Sequence, residues 1–421
     1  MLKENGHDTK LIYFTRKGDF RKAQEAVYAY NPDVVCISAL SSTFGFVDKI
    51  GEVIKKAKKV PILCGGIHTT LLPESLERLD YIDGVVAGEG EYPILEFIEH
   101  NGDTGQIRNL WLKTKSATIK NDIRPPVNLD DLPNPDREIF DFQGIINAEK
   151  FAPFIFTRGC PFNCAYCCNS SLNRIYHNNY FRCKDARKCI GEIIEVKKKY
   201  KFGKIAFYDD IFNIDVEWSN LFLEFYKKQV NLPFGCNLRP EFVDAGLLGK
   251  LKDSGCVEVA MGIESGNEYI RNNIMKRRVS NEQIKNAFYL AQKMGFRTIA
   301  YNMIGLPYET PAHIKDTIKL NTAIQPDIAH LSIFYPYPGT ELGEVCAENK
   351  WIGKSYKYFQ EREDSILETP IIKGRDMLYF YRNFHYLVFR HKALTIAMYF
   401  KLYGFYKLYR NLFLKNIYSR I

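Results

Sequence analysis

The sequence predicts an α/β protein: an amino-terminal doubly wound domain, a linker, a partial barrel of six βα units and a helical carboxyl-terminal region. Three observations carry this expectation. Short apolar runs alternate with amphipathic stretches over residues 10–100, the alternation resumes over residues 150–345, and a proline-rich stretch separates the two. Near-continuous apolar strands divided by helices mean parallel sheets covered on both faces. The expected boundaries are 1–100 for the first domain, 101–149 for a linker with a small hairpin, 150–345 for the barrel and 346–421 for the tail.

In the first domain, residues 9–14, 33–38, 60–64 and 83–87 read as strands. Residues 20–30 and 44–58 read as helices, with further helices near Pro73 and after Glu91. The first element is the end of a helix over residues 1–5, so the strand that should open such a domain is expected to be missing. The linker has a turn at residues 101–105, a hairpin around Trp111 and the prolines Pro125, Pro126, Pro133 and Pro135, which exclude helix. The barrel strands are expected at 152–157, 204–208, 232–236, 256–261, 297–303 and 328–334. Helices at 189–200, 216–228 and 281–294 lie between them.

Composition narrows the class. The chain has 421 residues with 46% hydrophobic and 25% charged residues, which excludes a disordered chain, a collagen-like repeat and a small disulfide-stapled fold. No run of 18 apolar residues offers a bilayer-spanning helix. The opening residues lack the apolar core of a signal peptide, so a cytosolic protein is expected. Eleven cysteines there need another purpose than disulfides. Four of them, Cys160, Cys164, Cys167 and Cys168, crowd into nine residues, whereas the others are scattered as small buried hydrophobes are.

The crowded segment reads Thr157-Arg158-Gly159-Cys160-Pro161-Phe162-Asn163-Cys164-Ala165-Tyr166-Cys167-Cys168 and follows the first barrel strand, where barrel enzymes place catalytic groups. Three thiolates at C-x3-C-x2-C can wrap one corner of an iron–sulfur cube and leave a fourth iron open. Zinc is the alternative, but it favours a closed set of four, and no second C-x2-C or H-x3-H returns. This spacing, with an aromatic before the third cysteine, resembles the radical SAM superfamily over most of residues 150–345.

The resemblance implies that Cys160, Cys164 and Cys167 bind a [4Fe-4S] cluster whose open iron chelates S-adenosylmethionine (SAM). Reductive cleavage would then give a 5′-deoxyadenosyl radical. It places Tyr166 near the adenine, Asp209 and Asp210 near the methionine amino group, Glu264 near the ribose or amino group, and Asn302 and Gly305 in the loop beside the adenine. Asn237 and Arg239 complete the ring of strand ends. Each has a plainer reading as well: a packed ring, a helix cap, a turn or an ion pair. Cys168 is extra to the pattern and reads as a bystander thiol.

A doubly wound, Rossmann-like domain ahead of such a barrel resembles the cobalamin (B12)-binding subgroup. The matching segments are Ser38-Ala39-Leu40, Cys64-Gly65-Gly66-Ile67-His68 and Ala87-Gly88-Glu89-Gly90-Glu91. By that likeness Ser38, Leu40, Gly65, Gly66 and Gly88 approach the corrin or its nucleotide tail, since small residues at strand ends let backbone come close. The alternative is a domain whose glycines only make turns. The subgroup's histidine loop, D-x-H-x-x-G, is absent, and His68 lies outside the cobalt-ligand position.

The resemblance thus implies a radical SAM enzyme with cobalamin, for methyl transfer to an unactivated carbon. The alternatives are a cobalamin-independent enzyme of cyclisation or oxidation with a vestigial first domain, or a non-catalytic metal- or corrin-binding sensor. Expected partners are a small-molecule or lipid-like substrate and an external electron donor such as flavodoxin or ferredoxin. From Lys373 onward ten basic residues face one acid, Asp376, interleaved with aromatics. That pattern suits a packed helical subdomain or contact with a membrane surface, and nucleic acid is the least favoured partner.

Overall fold

The computed structural model describes residues 1–13, 20–100, 105–353 and 366–399, without the side chains of 393–399. The basic, aromatic segment beyond residue 399 and the turn at 101–104 lie outside the described residues. The chain divides into two compact units, Met1–Phe234 with Pro336–Glu361, and Gly235–Tyr335 with Arg362–Ile421.

The first unit opens on a sheet of five strands in the order β1 (Val35–Ser38), β2 (Ile62–Gly65), β3 (Gly84–Val86), β4 (Leu110–Lys113) and β5 (Thr118–Lys120). The first three are parallel, and the linker hairpin adds the antiparallel pair. Alternation along β2 shows why both faces are covered. Ile62 and Cys64 join the core formed with Val27, Ile54 and Leu76. Leu63 points the other way, against Val86, Leu110, Ile94 and Phe97. Burying both faces of one strand is what its unbroken apolar run encodes.

Residues 9–13 are not in a strand, which corrects the expected first strand over 9–14, whose last residue lies outside the described ones. Leu11, Ile12 and Tyr13 are exposed there, so their apolar character has no sheet to bury it. Lys3–Asn5 is a single 3₁₀ turn, closed by Gly6 in the left-handed conformation.

The same unit holds β6 (Ala152–Phe154), paired in parallel with β9 (Ile205–Phe207), and a short antiparallel pair of β7 (Thr157–Arg158) with β8 (Arg182–Cys183). Phe156, Phe207, Phe212, Phe222 and Tyr226 form its aromatic core, with ring centroids 5.3–6.0 Å apart. Asp185 caps the helix Ala186–Lys199, and Asp215 caps Val216–Gln229. Such caps are worth about 1 kcal/mol each.

The second unit carries β10 (Phe234–Leu238), β11 (Cys256–Glu264), β12 (Arg297–Ile304) and β13 (Ile328–Ile333), each beside the next. β11, β12 and β13 run parallel. Ser280 with Gln283, and Thr310 with His313, form capping boxes that start the helices Asn281–Lys293 and Pro311–Ile324. The helix Gly374–Tyr399 packs Met377 and Phe380 against Ile304, Ile314 and Ile333. Among the described residues no helix is long and apolar enough to cross a membrane. The class is α/β: a mixed, doubly wound sheet at the amino terminus followed by the parallel strands of a partial barrel.

Candidate functional site

The cysteine loop runs from Gly159 to the helix Cys168–Ile175. Three features shape it. Gly159 takes φ +85°, and a side chain there would meet the Tyr180 ring and carbonyl at 2.7–3.0 Å. The Cys167 amide donates to the Cys164 carbonyl at 3.0 Å, which turns the loop back on itself. Asn173 Nδ2, in the following helix, donates to the Cys160 carbonyl at 2.8 Å and ties the loop's start to its end.

All three cysteines are free thiols. Burial pushes the Cys160 thiol up to about 12, and Cys167, Asp210 and Cys164 lie close enough to add to it. Donating a hydrogen bond to Cys168, then burial, raises Cys167 as well. Loading a metal centre here must therefore displace protons. Among the described residues no three His, Cys, Asp or Glu side chains converge as ligands of a single metal ion. Three soft thiol donors on one loop are the donor set of an iron–sulfur cluster.

The two carboxylates after β9 have separate roles. Asp209 is buried, and its Oδ1 accepts from the Phe156 amide at 2.9 Å, the Thr157 amide at 2.7 Å and the Thr157 hydroxyl at 2.7 Å. It fixes the bend between β6 and β7 that leads into the cysteine loop. Asp210 is exposed, accepts from Asn169 Nδ2 at 2.7 Å and acts on the Cys160 and Cys167 thiols. Tyr166 is half-buried within the loop.

Sequence reasoning placed further candidates on the second unit. Glu264 and Asn302 are register partners on β11 and β12. Glu264 has φ +63° at a bulge, and its Oε1 lies 2.4 Å from where a side chain on Gly262 would begin. Asn302 is buried; its Nδ2 donates to Asn321 Oδ1 and the His330 carbonyl, and its Oδ1 accepts from Asn321 at 2.6 Å. Its amide is spent on the core. Gly305 has φ +81° and donates its amide to Glu309 Oε2 at 2.5 Å. Arg239 pairs with Glu241, the structural alternative weighed for it. Glu309 was missed: it is fully buried, and burial pushes its carboxyl up to about 8.

A cavity of about 500 Å³ opens at the carboxyl ends of β1, β2 and β3. Ser38, Gly65, Gly66 and Gly88 line it, with Cys36, Glu89, Glu91 and Arg158. Leu40 is exposed and does not line it. The glycines differ in purpose. A side chain on Gly65 would meet only Val86, at 3.7 Å, whereas one on Gly66 (φ +105°) would strike the Ala39 carbonyl at 2.5 Å. One on Gly88 would lie 2.5 Å from the Tyr176 hydroxyl. Gly66 and Gly88 thus serve the packing of the protein itself, and Gly65 keeps the cavity open. His68 is buried beneath, stacked on Phe44 at 3.8 Å and bonded to Ser41 at 3.1 Å, and burial lowers it to about 4. A cleft of this size, floored by small residues at parallel strand ends, fits a nucleotide-sized tail of a larger cofactor.

A family model of the radical SAM superfamily matches residues 154–320, and one of the B12 binding domain matches residues 1–98. The chain belongs to the B12-binding radical SAM family. It is 26% identical over 358 residues to an uncharacterized methyltransferase of Pyrococcus horikoshii, covering 83% of this chain and 77% of that one. It is 24% identical over 392 residues to an anaerobic magnesium-protoporphyrin IX monomethyl ester cyclase of Rubrivivax gelatinosus, covering 88% and 68%. Among solved structures, the radical SAM methyltransferase TsrM of Kitasatospora setae, with tryptophan and a SAM analogue bound, superposes with a TM-score of 0.69 at 16% identity, over 84% of this chain and 72% of that one. The cobalamin-dependent radical enzyme OxsB gives 0.65 at 14% identity, over 93% and 64%. These two likenesses establish a shared fold. The protein is a radical SAM enzyme, and its cofactors are a [4Fe-4S] cluster, SAM and cobalamin.

Proposed function

We propose that this enzyme transfers a methyl group to an unactivated carbon of a small or lipid-like molecule, taking its electrons from a carrier such as flavodoxin or ferredoxin. One observation carries the reading: the cysteine loop and the strand-end cavity belong to the same compact unit, with Arg158 shared between them. When bound, the cluster and the corrin supply an electron and a methyl carrier.

The chain's own residues do the rest. Cys160, Cys164 and Cys167 hold the cluster, and Asp209 keeps the strand behind them bent. Asp210 and Tyr166, beside the cysteines, would hold SAM on the loop's side. Ser38 and Gly65 border the corrin tail, with Gly66 and Gly88 shaping the loops around it. The methyltransferase name of the Pyrococcus relative and the tryptophan in the TsrM structure support a small-molecule methyl acceptor.

Anaerobic protein given methyl-deuterated SAM, hydroxocobalamin, reduced flavodoxin and an extract of small metabolites should place the deuterated methyl group on an acceptor. SAM cleavage that proceeds unchanged without hydroxocobalamin, with no label transferred, would count against methyl transfer.

A further inference from the structure

Arg158 ends β7, two residues before Cys160, and also lines the strand-end cavity. Its Nη1 donates to Glu89 Oε1 at 2.8 Å and its Nη2 to Glu91 Oε1 at 2.6 Å. Both acids lie in the Gly88–Glu91 turn, as it is called below, which runs from the end of β3 into the first residue of the helix Glu91–Glu99 and walls the cavity. Glu89 is buried with both oxygens occupied. Oε1 is shared with Arg182, the register partner of Arg158 on β8, and Oε2 accepts from the Val127 amide at 2.8 Å. The turn is thus pinned by charge to the residue that leads into the cluster loop.

A second link runs beside the first. The Tyr180 ring covers Gly159, at the start of the cluster loop, and stacks on Tyr176 with centroids 4.8 Å apart and planes 17° from parallel. The buried Tyr176 hydroxyl faces Gly88, at the start of the cavity turn. Arg158 and Gly159, adjacent at the entry to the cluster loop, therefore each reach the same stretch, Gly88–Glu91, through an ion-paired or packed contact.

We propose that Arg158 is a positioning residue that couples the two cofactor sites, so that a cluster held by the cysteine loop raises the affinity of the cavity for cobalamin. The physical origin is preorganisation. A cluster cross-links Cys160, Cys164 and Cys167 and removes the loop's alternative conformations. The stiffened loop holds Arg158 where it meets both carboxylates, and the Gly88–Glu91 turn stays in its open shape before ligand arrives. Without the cluster, that ordering must be supplied at the moment of binding. By linkage, cobalamin tightens the cluster site by the same factor. The inference rests on the reading of the cavity as a cobalamin site.

The test measures hydroxocobalamin binding by anaerobic equilibrium dialysis, with full-length protein carrying its cluster and with the same protein stripped of iron. The native chain should bind about tenfold more weakly once stripped. Arg158→Met leaves Glu89 paired with Arg182 and Val127, so the fold is kept, which thermal melting checks. With its cluster, this variant should bind as weakly as stripped native protein and change no further on stripping. Arg158→Lys, which reaches one carboxylate at a time, should show intermediate coupling. Equal affinity of native protein with and without cluster, or a tenfold difference that survives in Arg158→Met, overturns the coupling. Absence of hydroxocobalamin binding in both states of native protein instead removes the cobalamin reading of the cavity, and the coupling with it.

Discussion

The Asp209 carboxylate accepts hydrogen bonds from both the amide and the hydroxyl of Thr157, each at 2.7 Å, three residues ahead of Cys160. A buried carboxylate held in this way anchors backbone rather than ligand. Replacing Asp209 by Ala should cost about 3 kcal/mol, since three charge-assisted bonds vanish and two amides lose their acceptor. It should also lower the iron bound after reconstitution. Asp210→Ala should melt with the native protein and keep its iron while binding SAM more weakly. Calorimetry with iron analysis separates the two; equal iron and equal melting for Asp209→Ala would contradict the assignment.

Adjacent glycines in the cavity should respond in opposite ways. Gly66→Ala forces a side chain into the Ala39 carbonyl at a φ of +105°, so its melting temperature should fall markedly. Gly65→Ala has room and should fold normally, whereas Gly65→Leu should fold and exclude hydroxocobalamin. Dialysis with melting curves checks both. Unimpaired hydroxocobalamin binding by a folded Gly65→Leu would place the cofactor elsewhere.

Glu309 makes stability depend on pH. Burial raises its carboxyl to about 8, so the fold favours the protonated form. The unfolded chain releases that proton near the ordinary value of about 4.3. The contribution is therefore full below about pH 4 and shrinks as pH rises toward about 8. Glu309→Gln should gain stability relative to the native chain between pH 5 and pH 8 by a few kcal/mol, in the range of about 2–5. Urea unfolding at several pH values measures this; a constant difference across that window would show that Glu309 titrates normally.

His68 should leave no mark on cobalt. It is buried, bonded to Ser41 and stacked on Phe44, and does not line the cavity. The cobalt(II) resonance spectrum of the loaded protein should lack nitrogen superhyperfine splitting and be unaltered in His68→Asn. Splitting that disappears in that variant would make His68 a ligand.

Much of this was legible in the residues because periodicity and spacing are local. The apolar run at 60–64 had to be buried on both faces, and Ile62, Leu63 and Cys64 do face two cores. The cysteine loop declared itself through its spacing. Burial and partnership are less legible. Asp209 and Asp210 look alike in sequence, and only the fold turns one inward onto Thr157. Nor does the sequence show that a side chain on Gly66 or Gly88, which both line the cavity, would meet Ala39 or Tyr176. Glu89 and Glu91 stand in a glycine-rich segment, while Arg158, their partner, lies some seventy residues on. The run at 9–14 matched a strand locally, and no neighbouring strand takes up residues 9–13.

The most direct test of the central claim is the electron paramagnetic resonance spectrum of the reduced, anaerobically reconstituted protein with and without SAM, alongside its iron content. Native protein and Cys168→Ala should hold about four irons per chain and give a cluster signal that SAM alters, because one iron lacks a protein ligand. Cys160→Ala, Cys164→Ala and Cys167→Ala should lose both the iron and the signal. Full iron loading of Cys164→Ala, or a native signal indifferent to SAM, would contradict a SAM-binding cluster on this loop.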